Sequence, residues 1–185
     1  MKHFLVPIFC FVVLPTSVLG ADDKVDAPQT VKHQVTGLFA PDREGDLREV
    51  FEKIPQIKLA SIDFKKAEIT CEYRPSKVFP NAKPEQVIER FDEMVKAASN
   101  HTFGVKPLPK LPLDKLKWIE ISVAGLDCKA CCLAAYEAVF KLEGVERATA
   151  SFKEGRMTVL IDPEKTDRAK LEAVLKQRGV QLKSP

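Results

Sequence analysis

The chain has 185 residues, of which 29 are lysine or arginine and 26 are aspartate or glutamate, so its formal net charge at pH 7 is only +3. Residues 30–104 contain 12 basic and 12 acidic side chains, and residues 118–182 contain 10 of each. Neither segment has the basic excess that is typical of nucleic-acid-binding domains, so nucleic acid is not an expected partner.

The N-terminal 20 residues have the organisation of a secretory signal peptide. Met1-Lys2-His3 precedes an apolar run from Phe4 to Val13, and Val18-Leu19-Gly20 provides a site for cleavage. The run is too short to span a membrane. We therefore expect a secreted or periplasmic protein with no stable membrane insertion after cleavage, beginning with a disordered lead over residues 21–29.

Residues 30–105 alternate between strand and helix patterns. Apolar residues at three- and four-residue steps predict one helix through Leu47 and Ile54 and another from Glu85 to about Ser99. The alternation of Ile69, Cys71 and Tyr73 with polar residues predicts a strand. Cys71 is expected to be a buried thiol, because cysteine is among the residue types most often found in cores.

Two histidines occur in this segment. His33 falls on the inward face of the first predicted strand, where we expect a hydrogen-bonded structural side chain. His101 follows the long helix and is expected to be exposed in a loop. Neither histidine has a second metal-binding residue at a recognisable spacing.

Residues 106–117 have the composition of a linker. Pro107, Pro109 and Pro112 predict a semi-extended segment, and its lysines are expected to keep it solvated. We expect this linker to keep the flanking units apart without fixing their relative orientation.

The strongest chemical signal is the pair Cys128 and Cys131, which lies between a predicted strand and a predicted helix. The strand ends at Gly125, and the helix is expected to begin near Cys131 and to stop at Gly144. Free N–H groups and the helix dipole at such a position lower the pKa of a thiol. Two sulfur ligands favour soft ions such as Cu(I), Hg(II), Zn(II) or Cd(II) over Mg(II) and Ca(II).

The segment after this helix continues the alternation. Val145 to Phe152 predicts a second strand, and a third strand has Met157, Val159 and Ile161 on its inner face. A second helix carries apolar residues at helical spacing and stops at Gly179, before a short last strand. Its apolar residues are Leu171, Val174 and Leu175.

The chain contains an internal repeat. Displacement by 88 positions aligns Val31–Pro75 with Ile119–Pro163 without a gap, with ten identical pairs in 45 positions. The identities include Gly37 with Gly125 and Leu38 with Leu126. In the first copy, the positions of Cys128, Cys131 and Cys132 hold Ala40, Arg43 and Glu44. The sequence therefore predicts two copies of one fold, the first without the thiols.

Residues 118–183 resemble the heavy-metal-associated domain of copper chaperones, metal-pumping ATPases and periplasmic mercury-binding proteins. Gly125, Cys128 and Cys131 match the family motif Gly-Met-x-Cys-x-x-Cys. The resemblance implies an α+β protein with two tandem ferredoxin-like βαββαβ domains, the first a degenerate copy over residues 30–105. Each domain would have a four-stranded antiparallel sheet with two helices on one face.

Three positions depart from the pattern of the family. Leu126 replaces the usual Met at a packing position, a change that cores tolerate. Val180 stands where many members have an aromatic residue leaning over the metal loop. Cys132 is an additional thiol, for which we favour buried packing and keep open the role of a third ligand for a larger ion such as Hg(II) or Cd(II).

Binding of a soft metal ion, with Cu(I) favoured, is the function that we expect for Cys128 and Cys131. The resemblance implies exchange of the ion with a donor or acceptor protein. A thiol–disulfide redox protein and a non-catalytic interaction module are the alternatives. No general base or phosphate-binding loop accompanies the thiols, so we do not expect an enzyme.

Overall fold

The computed structural model describes residues 27–183, so the expected signal peptide and most of the expected lead lie outside the described residues. Eight strands in this part of the chain form two four-stranded sheets. The first domain contains β1 (Gln29–Thr36), α1 (Arg43–Glu52), β2 (Lys58–Asp63), β3 (Glu68–Tyr73), α2 (Pro75–Val78), α3 (Pro84–Ala98) and β4 (Gly104–Lys106). The second domain contains β5 (Lys117–Ala124), α4 (Lys129–Phe140), β6 (Val145–Ser151), β7 (Arg156–Ile161), α5 (Arg168–Gln177) and β8 (Gln181–Leu182).

The two sheets have the same topology. Their strand orders are β2-β3-β1-β4 and β6-β7-β5-β8, with antiparallel pairing throughout. His33 lies opposite Ile69 in the first sheet, and Ile121 lies opposite Met157 in the second. These pairs are related by the 88-residue displacement of the repeat. The predicted α+β fold with two tandem ferredoxin-like domains is confirmed.

An aromatic-rich core supports the first sheet. The buried side chains of α1, α3 and the central strands pack together, with Leu47, Ile69 and Phe91 completely buried. Cys71 is also completely buried, and burial raises the pKa of its thiol to about 12. The prediction that Cys71 is a core thiol is therefore confirmed. His101 is exposed, as expected.

The second core is more aliphatic. Ile121, Met157 and Val159 from the sheet pack against residues of α4 and α5. Burial of such apolar surface is the main favourable term in folding. The three predicted inward residues of β7, Met157, Val159 and Ile161, are all buried.

The two domains contact each other, contrary to the expectation that the linker keeps them apart. The side-chain amide of Gln34 donates to the Glu146 carbonyl at 2.8 Å, and the Arg147 guanidinium donates to the Phe64 carbonyl at 2.7 Å. Both contacts involve β6, an edge strand whose outward backbone groups would otherwise face solvent. The first domain therefore covers the free edge of the second sheet.

Phe39 anchors this interface. It belongs to the loop after β1, yet it is 2% exposed and packs within the core of the second domain. Its carbonyl accepts a hydrogen bond from the Ala150 N–H at 3.0 Å, and its ring lies 5.8 Å from that of Tyr136. The hydrophobic burial of Phe39 favours the docked arrangement over two independent domains.

Glycine at position 37 permits the loop after β1 to approach the backbone of Thr102 closely. Its φ of 85° is in the left-handed region, and a Cβ atom there would lie 2.1 Å from the Thr102 carbonyl oxygen. The N–H of Gly37 donates to the Tyr136 hydroxyl at 2.9 Å. Any larger residue at this position would displace the loop that carries Phe39.

Candidate metal centre

The thiols lie where β5 turns into α4. Gly125, with a φ of 77°, turns the chain after β5, and Leu126 anchors the loop through a side chain that is buried in the second core. Leu126 therefore takes the packing role that we expected at this position. The loop leaves Asp127 and Cys128 exposed to solvent.

Cys128 caps the helix that carries the other thiols. Its backbone is extended, and its Sγ accepts a hydrogen bond from the Cys131 N–H at 3.2 Å. Helix α4 therefore begins at Lys129, two residues before the predicted start, and it ends at Phe140 rather than at Gly144. The early start follows from the cap, because a side chain that accepts one of the free N–H groups stabilises the first turn.

Cys128 and Cys131 are close to each other, and their contact shifts the two pKa values in opposite directions. Their Sγ atoms are 2.6 Å apart. The hydrogen bond from the Cys131 thiol, followed by that from the Cys131 N–H, lowers the pKa of Cys128. The same contact raises the pKa of Cys131. Cys128 is therefore the first of the two to become a thiolate, the form that binds metals.

Both thiols are accessible from outside. Cys128 is exposed and Cys131 is partly exposed. Two sulfur atoms that share a tetrahedral ion, at about 2.3 Å each, are roughly 3.7 Å apart. The present pair must separate by about 1 Å to hold a tetrahedral ion, and by more to hold an ion bound by these two sulfurs alone, which lie on opposite sides of it. An exposed loop and first helical turn can provide this movement more readily than a packed core.

Cys132 differs from its neighbours because it faces the core. It is 2% exposed, and its Sγ lies 3.9 Å from the Leu126 carbonyl oxygen. Burial raises the pKa of this thiol, which disfavours the thiolate. The favoured expectation of a buried Cys132 agrees with this position, and its role toward a metal ion stays a prediction.

Oxygen and nitrogen ligands do not converge on the thiols. Within residues 27–183, the structure brings together no group of three or more histidine, cysteine, aspartate or glutamate side chains suited to a metal ion. His33 is buried within the first domain, and Val180 packs against the second core. The candidate site therefore consists of Cys128 and Cys131.

The corresponding loop of the first domain cannot form such a site. Arg43 occupies the position of Cys131, and its guanidinium carbon lies 4.5 Å from the centre of the Phe103 ring and 5.3 Å from that of Phe39. The same guanidinium pairs with Asp46. A cation held between two aromatic rings replaces the second thiol, and Ala40 replaces the first.

The thiol-free loop lies beside the thiol loop. Asp42 forms an ion pair with Lys129, the residue that follows Cys128, at 3.1 Å. A cavity of about 580 Å³ separates the first loop from the turn after β6 and extends to Cys132. These contacts between the two loops were not predicted from the sequence. The one signal that the sequence offered was the apolar pair Leu38-Phe39 in a loop.

The site and its surroundings define a small α+β domain that presents a Cys-x-x-Cys pair at the start of its first helix. A family model for the heavy-metal-associated domain matches residues 120–179. The mercuric transport protein periplasmic component of Serratia marcescens is 31% identical over 61 residues, which cover 33% of this chain and 67% of that protein. The chain belongs to the heavy-metal-associated domain family.

Solved structures with similarity to this chain include two that each cover 37% of it. Oxidized MerP from Ralstonia metallidurans CH34 is 28% identical, with a TM-score of 0.35 and coverage of 37% of this chain and 94% of that one. The putative copper-ion-binding protein from Bacillus anthracis str. Ames is 26% identical, with a TM-score of 0.36 and coverage of 37% and 96%. No helix in residues 27–183 is long and apolar enough to cross a membrane.

Proposed function

We propose that the protein binds one soft metal ion, Cu(I) in preference to Hg(II), Zn(II) or Cd(II), through Cys128 and Cys131. The observation that carries this proposal is the adjacent, accessible thiol pair at the N-terminus of α4, with the pKa of Cys128 lowered. Thiolate ligands select soft ions, and no cluster of oxygen ligands competes within the described residues.

The names of similar proteins support a soft metal ion as the ligand. One relative is a mercuric transport protein, and the similar structures include a putative copper-ion-binding protein and the N-terminal domain of a zinc(II) ATPase. The buried position of Cys132 favours a site with two protein sulfurs, which suits Cu(I). A third ligand from Cys132 remains the arrangement for a larger ion, and it requires that side chain to leave the core.

We propose that the ion is exchanged with a donor or acceptor protein rather than stored. Exposure of both sulfurs lets a thiolate of the partner attack the ion and form a third metal–sulfur bond before Cys128 or Cys131 leaves. The first domain covers the side of the second domain formed by β6 and α4. The partner would therefore approach from the side of α5 and β8.

The proposed location is outside the cytoplasm. The signal-peptide pattern of residues 1–20 supports secretion or export to a periplasm. Such compartments are oxidising, so the thiol pair must be kept reduced or be metal-loaded to remain a ligand.

A thiol–disulfide redox function is the second candidate. The separation of 2.6 Å between the two Sγ atoms places them ready for oxidation. In that reaction the two thiols lose two electrons and two protons and form one S–S bond, while a disulfide substrate is reduced to two thiols. A non-catalytic interaction module is the third reading, and it would leave the pair as an inert disulfide.

Anaerobic titration of the reduced protein with Cu(I), Zn(II) and Hg(II) tests the proposal. We expect one tight Cu(I) site per chain, lost in Cys128→Ser or Cys131→Ser, because Ala40 and Arg43 leave the first domain without thiols. Cys71→Ser is a control, since that thiol is buried in the first core. Tight binding that survives both serine variants, or none in the wild type, would contradict the assignment; rapid disulfide exchange without metal binding would support the redox function instead.

A further inference from the structure

The first domain has a polar pair where the second domain has two isoleucines. The 88-residue displacement places His33 at the position of Ile121 and Tyr73 at that of Ile161. All four side chains are buried, with exposures of 7%, 1%, 4% and 1% respectively. The second domain shows that this fold is built with aliphatic residues at both positions, so folding alone does not require the pair.

His33 and Tyr73 contact each other inside an aromatic cluster. The His33 Nε2 atom lies 3.3 Å from the Tyr73 hydroxyl oxygen, at hydrogen-bonding distance. The His33 ring meets Phe91 edge to face, and Tyr73 meets Phe79 in the same manner. Burial of polar groups costs free energy that a hydrogen bond only offsets, so an aliphatic pair would be the simpler core.

The connection between β3 and α3 builds a cavity over this pair. In the first domain this connection runs from Arg74 to Lys83 and contains α2, whereas in the second domain the shorter segment from Asp162 to Asp167 joins β7 to α5. The cavity has a volume of about 510 Å³, within the usual range for small-molecule sites. The insertion therefore coincides with the polar pair.

The cavity walls are mostly apolar, and within residues 27–183 they carry no charged side chain. They include Val31, Phe79, Val87 and Ile88, and no lysine, arginine, aspartate or glutamate is among the described residues that line it. The polar residues of the lining are the buried pair His33 and Tyr73, together with Gln29, Ser76 and Asn81. An apolar cavity with few convergent polar groups is the usual form of a site for a small organic molecule.

We propose that the first domain binds a small, neutral, mostly apolar molecule with one hydrogen-bonding head group, which is recognised by His33 and Tyr73. A phenol-like compound has this chemistry. The site lies where β1 begins and β3 ends, at the opposite end of the sheet from the loop that follows β1, and so it is separate from the thiol pair of the second domain.

The protonation of the pair agrees with a neutral ligand. Burial lowers the pKa of His33, so its ring is uncharged near neutral pH and offers one donor and one acceptor nitrogen. The Tyr73 hydroxyl can donate or accept. An ionic ligand would lose its hydration in this cavity without a charged partner to replace it.

The test uses phenol and toluene as probes, with binding followed by ¹H–¹⁵N NMR titration of the full reduced protein. We expect saturable shifts at residues lining the cavity, and phenol binding about tenfold tighter than toluene because only phenol can hydrogen-bond to the pair. Cys128→Ser should bind both probes unchanged, which separates this site from the thiols.

Two variants test whether His33 and Tyr73 form hydrogen bonds with the head group of the ligand. Tyr73→Phe keeps the ring and should remove most of the preference for phenol while toluene still binds. The double change His33→Ile with Tyr73→Ile introduces the residues of the second domain and should remove the preference for phenol entirely. The proposal is wrong if no saturable shifts occur at the cavity, if phenol and toluene bind equally to the wild type, or if Tyr73→Phe keeps the full preference.

Discussion

The number of sulfur ligands in the site, two or three, depends on Cys132. Its thiol is buried beneath Leu126, so Cys132→Ala should lower the free energy of unfolding by about 1 kcal/mol through lost packing. Its Cu(I) affinity should change little. Competition with a chelator measures that affinity, and Cys71→Ala is the matched control, because it removes an equally buried thiol far from the site. A tenfold or larger loss of affinity specific to Cys132→Ala would establish a third ligand.

Because of His33, we expect the stability of the protein to depend on pH. Burial lowers the pKa of this histidine in the folded state, whereas the unfolded chain has the ordinary histidine value of about 6.5. As the pH falls below that value, the unfolded state takes up a proton that the folded state does not, so stability falls toward acid pH. Denaturant unfolding between pH 7.5 and 5 measures the effect. The double change His33→Ile with Tyr73→Ile should flatten this part of the profile, and an identical slope in both proteins would refute the assignment.

Secondary-structure elements were largely predictable because their patterns are local. The inward residues of β7, the apolar face of α3 and the order of strands and helices all follow from periodicity and the repeat. The start of α4 was placed too late, since a cysteine is an unusual helix cap and its sulfur accepts from Cys131. Helix α2 and the contact through Phe39 were not predicted, because neither has a counterpart in the other copy or a periodic pattern.

Helix capping gives a prediction at the level of one element. The Asp167 side chain accepts a hydrogen bond from the Lys170 N–H at the start of α5, at 2.9 Å. Asp167→Ala should therefore lower the free energy of unfolding by about 1 kcal/mol. Asp42, at the start of α1, makes no such bond, and its ion pair with Lys129 is exposed and so worth little. Asp42→Ala is the control, and equal losses for the two variants in denaturant melts would show that the cap has no role.

The whole molecule behaves as two domains joined through shared core residues rather than as modules on a flexible tether. Backbone, side-chain and ring contacts cross between β6 or α4 and the first domain. Lys106, at the end of β4, adds a contact over the Phe140 ring at 4.6 Å. These contacts span several elements, so unfolding of one domain exposes apolar surface of the other. We therefore expect the two domains of the wild type to unfold in one cooperative transition.

Phe39 is the residue through which this coupling can be tested. Phe39 belongs to the first domain by sequence, but its ring packs in the core of the second. Phe39→Ala should therefore lower the free energy of unfolding by about 3 kcal/mol or more. It should also separate the unfolding of the two domains. Differential scanning calorimetry would then show two transitions in place of one. Phe152→Ala makes the same change at a ring that is 56% exposed, and it should leave the single transition nearly unchanged. Two transitions already present in the wild type would mean that the interface does not couple the domains, whereas a single transition retained in Phe39→Ala would mean that other contacts are sufficient.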